Sequence, residues 1–356
     1  MADFGEVFGN GSSRSSDASS NNNIEDAQIK IVTAGFGGAG CNILNRLVKV
    51  GVKGTSFVAF NTDYQHFKII DDRINKIIIG KSLTRGLGAG GDPTVGKKAA
   101  EVDRNLIEKA FEGAQLVFIC AGAGGGTGTG SAPVAARIAR EQGAITVAFV
   151  TYPFDLERIR KVKAEEGIQE LRSVCDSVII LDNNRLVQLA PNLPMNDAFA
   201  LADEVLAKAI GGLVWTITQP SMINIDFADV RSIMANGDVG FIAVGSGRGN
   251  DKIGTAAESV VKNKLLDVDF EGARGALIHI SGGASLTIGD AIHAGEIITE
   301  KMDSKANIKW GARILPGAED QIEIVAIVTG VKGASILGRM ESKKDSNPYP
   351  SIEMIG

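Results

Sequence analysis

Aromatic residues make up only 5% of this 356-residue chain, which argues against the stacked-base platforms of many single-strand nucleic-acid binders. Cysteine is scarcer still. Cys41, Cys120 and Cys175 are an odd number in unrelated contexts, the pattern of a reduced, cytoplasmic compartment and not of a disulfide framework. His66, His279 and His293 are scattered without metal-ligand spacing, so no protein metal site is expected. No apolar run reaches membrane-spanning length, and the N-terminus lacks an apolar signal segment. The net charge of −5 is mild, so nothing global points to nucleic acid or to an anionic membrane surface.

Hydrophobic residues, by contrast, make up 44%, enough for a large core, and the length suggests two domains. Residues 1–26, with "GNGSSRSSDASSNNN", read as a disordered arm. From 27 to 195, Val/Ile/Leu-rich runs alternate with helical stretches: "QIKIVTAGFG", "TSFVAFNTD", "INKIIIG", "AQLVFICAG", "AITVAFVTYP" and "SVIILDN". That alternation predicts an α/β domain with a Rossmann-like, doubly wound parallel sheet. "TVGKKAAEVDRNLIEKAFEG" reads as one helix, and a basic helix is expected over about 156–174. A long central helix over 196–218 joins this domain to a smaller mixed α+β domain, 219–338. There "VGFIAVGSG", "GARGALIHISGG", "KWGARIL" and "QIEIVAIVTG" are strands, and helices are expected near 255–266 and 288–302. Residues 339–356 read as a flexible tail.

The densest signal is "CAGAGGGTGTGSAPVAARIAR", with six glycines and two threonines between Gly122 and Gly130. Each ordered glycine costs about 0.5–1 kcal/mol relative to alanine, so something must offset six of them. Placed between a parallel strand and a helix, such a loop lies at the carboxyl edge of the sheet, where backbone N–H groups and the helix dipole hold anions. A phosphate cradle follows, with the hydroxyls of Thr127 and Thr129 as further donors. "GFGGAG" is a second such loop: Gly35, Gly37 and Gly40 satisfy G-x-G-x-x-G, and Asp63 lies 23 residues beyond Gly40. Alone it would favour an NAD(P)-dependent oxidoreductase. A third loop, "TRGLGAGGDP" (84–93), tips the balance, because three cradles on one edge suit a triphosphate better than a pyrophosphate. Gly91, Gly96 and Lys97 come close to a P-loop, but Lys98 stands where Ser or Thr would hold magnesium, so Lys97 and Lys98 read as a solvated helix face.

"GGGTGTG", supported in order by "GFGGAGCN", "NTD", "TRGLGAGGDPTVG", "PFDLE", "DNNRL" and "NIDFADVR", resembles the tubulin/FtsZ family of self-assembling GTPases over roughly residues 28–335. "DNNRL" and the short tail look more like archaeal members. The resemblance implies cell-division function, GTP/GDP as ligand and Mg2+ between the β- and γ-phosphates. It implies that Gly37, Gly38, Ala39, Gly40, Cys41 and Asn42 hug the phosphates and ribose side. Gly126, Thr127 and Gly128 would bind β- and γ-phosphate oxygens, with Gly124, Gly125 and Thr129 also in the GTP-binding loop, and Ala89, Gly90 and Gly91 would close over the γ-phosphate. Glu157 would meet the ribose, Asn183 would read the guanine, Phe199 would stack on the base and Asp203 would accept from its N1 and N2 donors. The family has Gly after this Glu and Arg four positions beyond it. Here they are Arg158 and Lys161, so Arg158, Arg160 and Lys161 all stay open as the basic contact.

In "MINIDFADVR", Asn224, Asp226 and Asp229 are the catalytic candidates. Asp226 and Asp229 are three apart and share a helix face; paired carboxylates can orient water for phosphoryl transfer, and they can equally cap the helix. A central helix of about 20 residues at about 1.5 Å each puts them roughly 30 Å from the glycine loops. In the family this loop completes the site of the next subunit, head to tail, a contact that builds filaments. The implied partners are therefore further copies of the chain, with a membrane adaptor possible at "NPYPSIEMIG" (347–356) or at the N-terminal arm, and the implied location is the mid-cell division site.

Overall fold

The computed structural model describes residues 29–185, 192, 194–218, 223, 225–234, 240–262 and 270–331. The expected arm and tail, and Asn224, lie outside the described residues. The first half runs β1 (Ile31–Phe36), α1 (Gly37–Lys49), β2 (Ser56–Asn61), β3 (Asn75–Ile78), α2 (Lys81–Thr84), α3 (Pro93–Val102), α4 (Arg104–Phe111), β4 (Leu116–Gly122), α5 (Thr127–Glu141), β5 (Ile145–Tyr152), α6 (Arg158–Val174) and β6 (Ser177–Asp182). All six strands are parallel, in the order β3-β2-β1-β4-β5-β6. Strands buried on both faces explain the unbroken apolar runs: β1 and most of β4 are inaccessible to solvent.

The central helix α7 (Met195–Thr218) leads to α8 (Phe227–Met234). A four-stranded sheet follows, from β7 (Gly240–Arg248), α9 (Lys252–Val261), β8 (Gly275–Gly282), α10 (Ile288–Thr299), β9 (Asn307–Ile314) and β10 (Gln321–Thr329). Its order is β7-β10-β8-β9, with β10 antiparallel to both neighbours and β8 parallel to β9. This is the mixed second sheet that the sequence pattern predicts.

One apolar cluster lies on the sheet face covered by α3, α4, α5 and α6, with Ala99, Phe111, Ala132 and Ile168 in its centre. The other runs from α1 (Leu44, Leu47) through α7 (Leu206, Ile210, Leu213) into the second sheet (Ile278, Ile324, Ile327). The buried stripe of α7 follows helical spacing, and each such side chain contributes about 1.5–3 kcal/mol on burial. Among the described residues no helix is long and apolar enough to cross a membrane.

Two local readings are corrected. The single helix expected over 94–113 is two, broken at Asp103 (φ −102°, ψ 30°), whose carboxylate accepts a hydrogen bond from Gly80 N at 2.6 Å. Lys97 is not merely solvated: its Nζ pairs with Glu170 at 2.7 Å, tying α3 to α6.

Candidate functional site

Three glycine-bearing loops meet at the carboxyl edge of the parallel sheet. A Cβ on Gly37, which has φ +70°, would lie 2.9 Å from Gly128 N, so the loop after β1 touches the loop after β4. A Cβ on Gly126 would lie 2.8 Å from Asp92 N and 2.9 Å from Ala89 Cβ, so that loop touches the one before α3. The hydroxyls of Thr62 and Thr127, 2.7 Å apart, add the end of β2 to the junction.

α1 and α5 both begin here, and no side chain caps either. Beside them α3 is capped conventionally, its Asp92 carboxylate accepting from Thr94 N at 2.8 Å. The first N–H groups of a helix have no intrahelical acceptor and carry the positive end of its dipole. Two such ends, uncapped and adjacent, make an anion site.

The glycines divide into two kinds. Gly40 and Gly130 are small so that backbones can touch: a Cβ would lie 2.2 Å from Cys120 O at the first and 2.0 Å from Pro93 O at the second. Gly125, Gly90 and Gly91 border open space, with only Gly122 O within 4 Å of a Cβ on Gly125 and nothing within 4 Å at the other two. Close packing therefore offsets part of the glycine cost that the sequence reading assigned wholly to a ligand. The threonines are also shared. Thr129 Oγ1 accepts from Gly124 N at 2.8 Å and so shapes the loop from within. Gly38 is half-buried and Ala39 and Asn42 are exposed on the first turn of α1. Burial pushes the Cys41 thiol up to about 12, which leaves its backbone N–H as the group able to meet an anion.

Beyond the loops, two acceptors stand near the start of α7 and the end of β6. Asn183, just after β6, is 9% exposed, and its Oδ1 has no hydrogen-bond partner among the described residues. Burial pushes the Asp203 carboxyl up to about 6, against the opposing pull of Arg46. Phe199, one turn before Asp203, is 41% exposed and sits edge-on to Phe154 with ring centroids 5.7 Å apart. An aromatic ring one turn from a half-buried carboxylate, with the buried Asn183 as a further acceptor, suits a planar base that presents N–H donors.

Glu157 Oε2 accepts from Phe154 N at 3.1 Å, and Glu157 Oε1 accepts from Arg160 at 2.5 Å. Arg160 also abuts the loop after β4, since a Cβ on Gly124 would lie 2.6 Å from Arg160 O. Lys161 instead pairs with Asp155 at 2.5 Å, and Arg158 is exposed. Of the three basic residues the sequence left open, Arg160 is the one that stands with Glu157 against the glycine loop. Sequence reasoning missed Lys163, whose Nζ donates to Gly91 O at 2.6 Å and straps α6 to the third loop. A lysine amid a run of charges carries no signal of such a contact.

Asp226 and Asp229 lie at the opposite edge. α7 starts by the base end and finishes with Thr218 beside Gly54, ahead of β2 at the amino edge of the sheet. Beyond it Ile223 bridges to Ala312 on β9. Asp229 N donates to Asp226 Oδ1 at 2.7 Å and Asp226 N donates to Asp229 Oδ2 at 3.4 Å, a reciprocal cap at the start of α8. Lys309 on β9 pairs with Asp229 at 2.9 Å. The sheet edge that gathers the loops thus carries none of the candidate catalytic carboxylates described here.

Residues 30–191 match the GTPase domain of the Tubulin/FtsZ family, and residues 238–332 match the C-terminal domain of the FtsZ family. Cell division protein FtsZ 2 of Methanocaldococcus jannaschii is 52% identical over 333 residues, covering 92% of this chain and 87% of that protein. A solved structure of an empty FtsZ dimer from M. jannaschii superimposes with a TM-score of 0.81 at 41% identity, covering 87% of this chain and 90% of that one. CetZ2 from Haloferax volcanii, solved as a GTPγS-bound protofilament, has a TM-score of 0.76 at 21% identity, covering 90% and 100%, a likeness of fold alone.

Proposed function

The chain belongs to the tubulin/FtsZ family, and from that premise we propose how this filament-forming GTPase works. GTP lies along the carboxyl edge of the sheet. Its phosphates rest on the N-termini of α1 and α5, held by Gly37–Asn42 and by Gly124–Thr129, with Ala89, Gly90 and Gly91 over the γ-phosphate. Glu157 takes the ribose, and Arg160 is the basic neighbour in place of Lys161. Asn183 and Asp203 accept from guanine, and Phe199 stacks on it. Adenine lacks the N1 and N2 donors that would satisfy Asp203, so its binding would leave a buried acceptor unpaired. Among the described residues no three ligating side chains group together. Mg2+ would accordingly be held by phosphate oxygens and water, neutralising charge on the β- and γ-phosphates.

Asn224, Asp226 and Asp229 act on the nucleotide of the next subunit. The observation that supports this is the placement of cradle and carboxylates at opposite edges of one chain: head-to-tail stacking brings them together and leaves an open-ended filament. Loss of the γ-phosphate removes support from Ala89–Gly91 and weakens the contact. The functional units are then the GTP-binding domain (27–195), the connecting helix and the GTPase-activating domain (219–338). The relative about half identical to this chain is a cell-division protein, so division at mid-cell is the role proposed. The tail or the arm would serve a membrane adaptor.

Asp229→Ala should bind GTP as the parent does and still form polymer, while turnover falls by about a hundredfold or more. Normal hydrolysis by that variant would overturn the assignment.

A further inference from the structure

We propose that Lys309 is a positioning residue of the shared GTPase site: it fixes Asp229 and carries a positive charge to the γ-phosphate of the neighbouring subunit. The inference rests on the reading of Asp226 and Asp229 given above.

Both oxygens of Asp229 are already committed. Oδ1 pairs with Lys309 Nζ at 2.9 Å, and Oδ2 accepts from Asp226 N at 3.4 Å. The second contact is local to α8, but the first comes from β9, so the aim of this carboxylate depends on a tertiary contact. The interaction is mutual, since Asp229 and, more weakly, Asp226 hold the Lys309 ammonium charged. The nearest alternative cation on α8, Arg231, lies over the Phe227 ring at 5.7 Å.

Lys309 is 40% exposed and has three N–H donors, one of them spent on Asp229. Two carboxylates brought alone to a triphosphate would be repelled; with Lys309 the arriving group carries one negative charge instead of two, plus donors for a phosphate oxygen. In hydrolysis the water oxygen joins the γ-phosphorus, the bond to the β-phosphate oxygen breaks with its electron pair on GDP, and the water proton leaves by way of the carboxylates. Lys309 changes no bond; it supplies aim and charge.

The test compares Lys309→Met, Lys309→Arg and Asp229→Ala in the full chain. Lys309→Met should bind GTP normally, because the cradle lies at the other edge, and should still pellet as polymer. Its turnover per polymerised subunit should fall by about tenfold or more, the rate equivalent of one hydrogen bond to a charged group, at unchanged KM. Lys309→Arg should recover most of it. Turnover of Lys309→Met within about twofold of the parent overturns the proposal, as does equal slowing of the Met and Arg variants, which would make the contact structural. Should Lys309→Met not polymerise alone, its copolymers with the parent chain decide: turnover per subunit should fall as its share rises, and a rate independent of that share overturns the proposal. Full activity of Asp229→Ala would instead defeat the underlying reading, whatever Lys309 does.

Discussion

Asp203 links the chemistry of one side chain to a measurable pH dependence. Its carboxyl is raised from 3.8 to about 6 by burial. Guanine donors need the carboxylate form, so affinity for GTP should be level above that value and weaken as pH falls through it. Fluorescence titration of GTP between about pH 7.5 and 5 measures this, and a flat affinity would remove Asp203 from the base site. Without nucleotide the stability term has the other sign. A folded-state value above the ordinary one means stability that is present below 3.8 and lost as pH rises through about 6. Bound guanine offsets that loss. The roles proposed for Phe199 and Asp203 were legible only through the family likeness. Arg160 was legible only as one of three open candidates, and Lys163 and Lys309 not at all, because the contacts that single them out join elements distant in sequence.

Helices α3 and α5 pack backbone to backbone, and this separates two glycines that look alike in the sequence. Gly130→Ala places a Cβ 2.0 Å from Pro93 O, so it should lower the Tm by several degrees, through overpacking of about 1–3 kcal/mol. Gly125→Ala meets only Gly122 O, at 3.9 Å, and should leave the Tm unchanged while weakening GTP binding. Thermal melts beside GTP titrations check both, and a Gly125→Ala chain that melts early would place that glycine among the packing residues. The strands were readable because a strand buried on both faces, such as β4, is apolar throughout. The break between α3 and α4 was not, since Asp103 spends its carboxylate on Gly80 N and no local pattern records that bond.

For the whole molecule, the opposite placement of cradle and carboxylates predicts turnover that depends on concentration. GTP hydrolysis per chain should be near zero at low protein and should rise as polymer appears in the pellet. Constant turnover at every dilution would mean that each chain carries a complete site. The apolar cluster that runs from α1 through α7 into the second sheet has a mechanical consequence. Among the described residues that cluster is continuous between the two halves, so each subunit is expected to behave as a stiff link. Bending of a filament, and any force it exerts, would then arise at the joints between links, where the nucleotide sits.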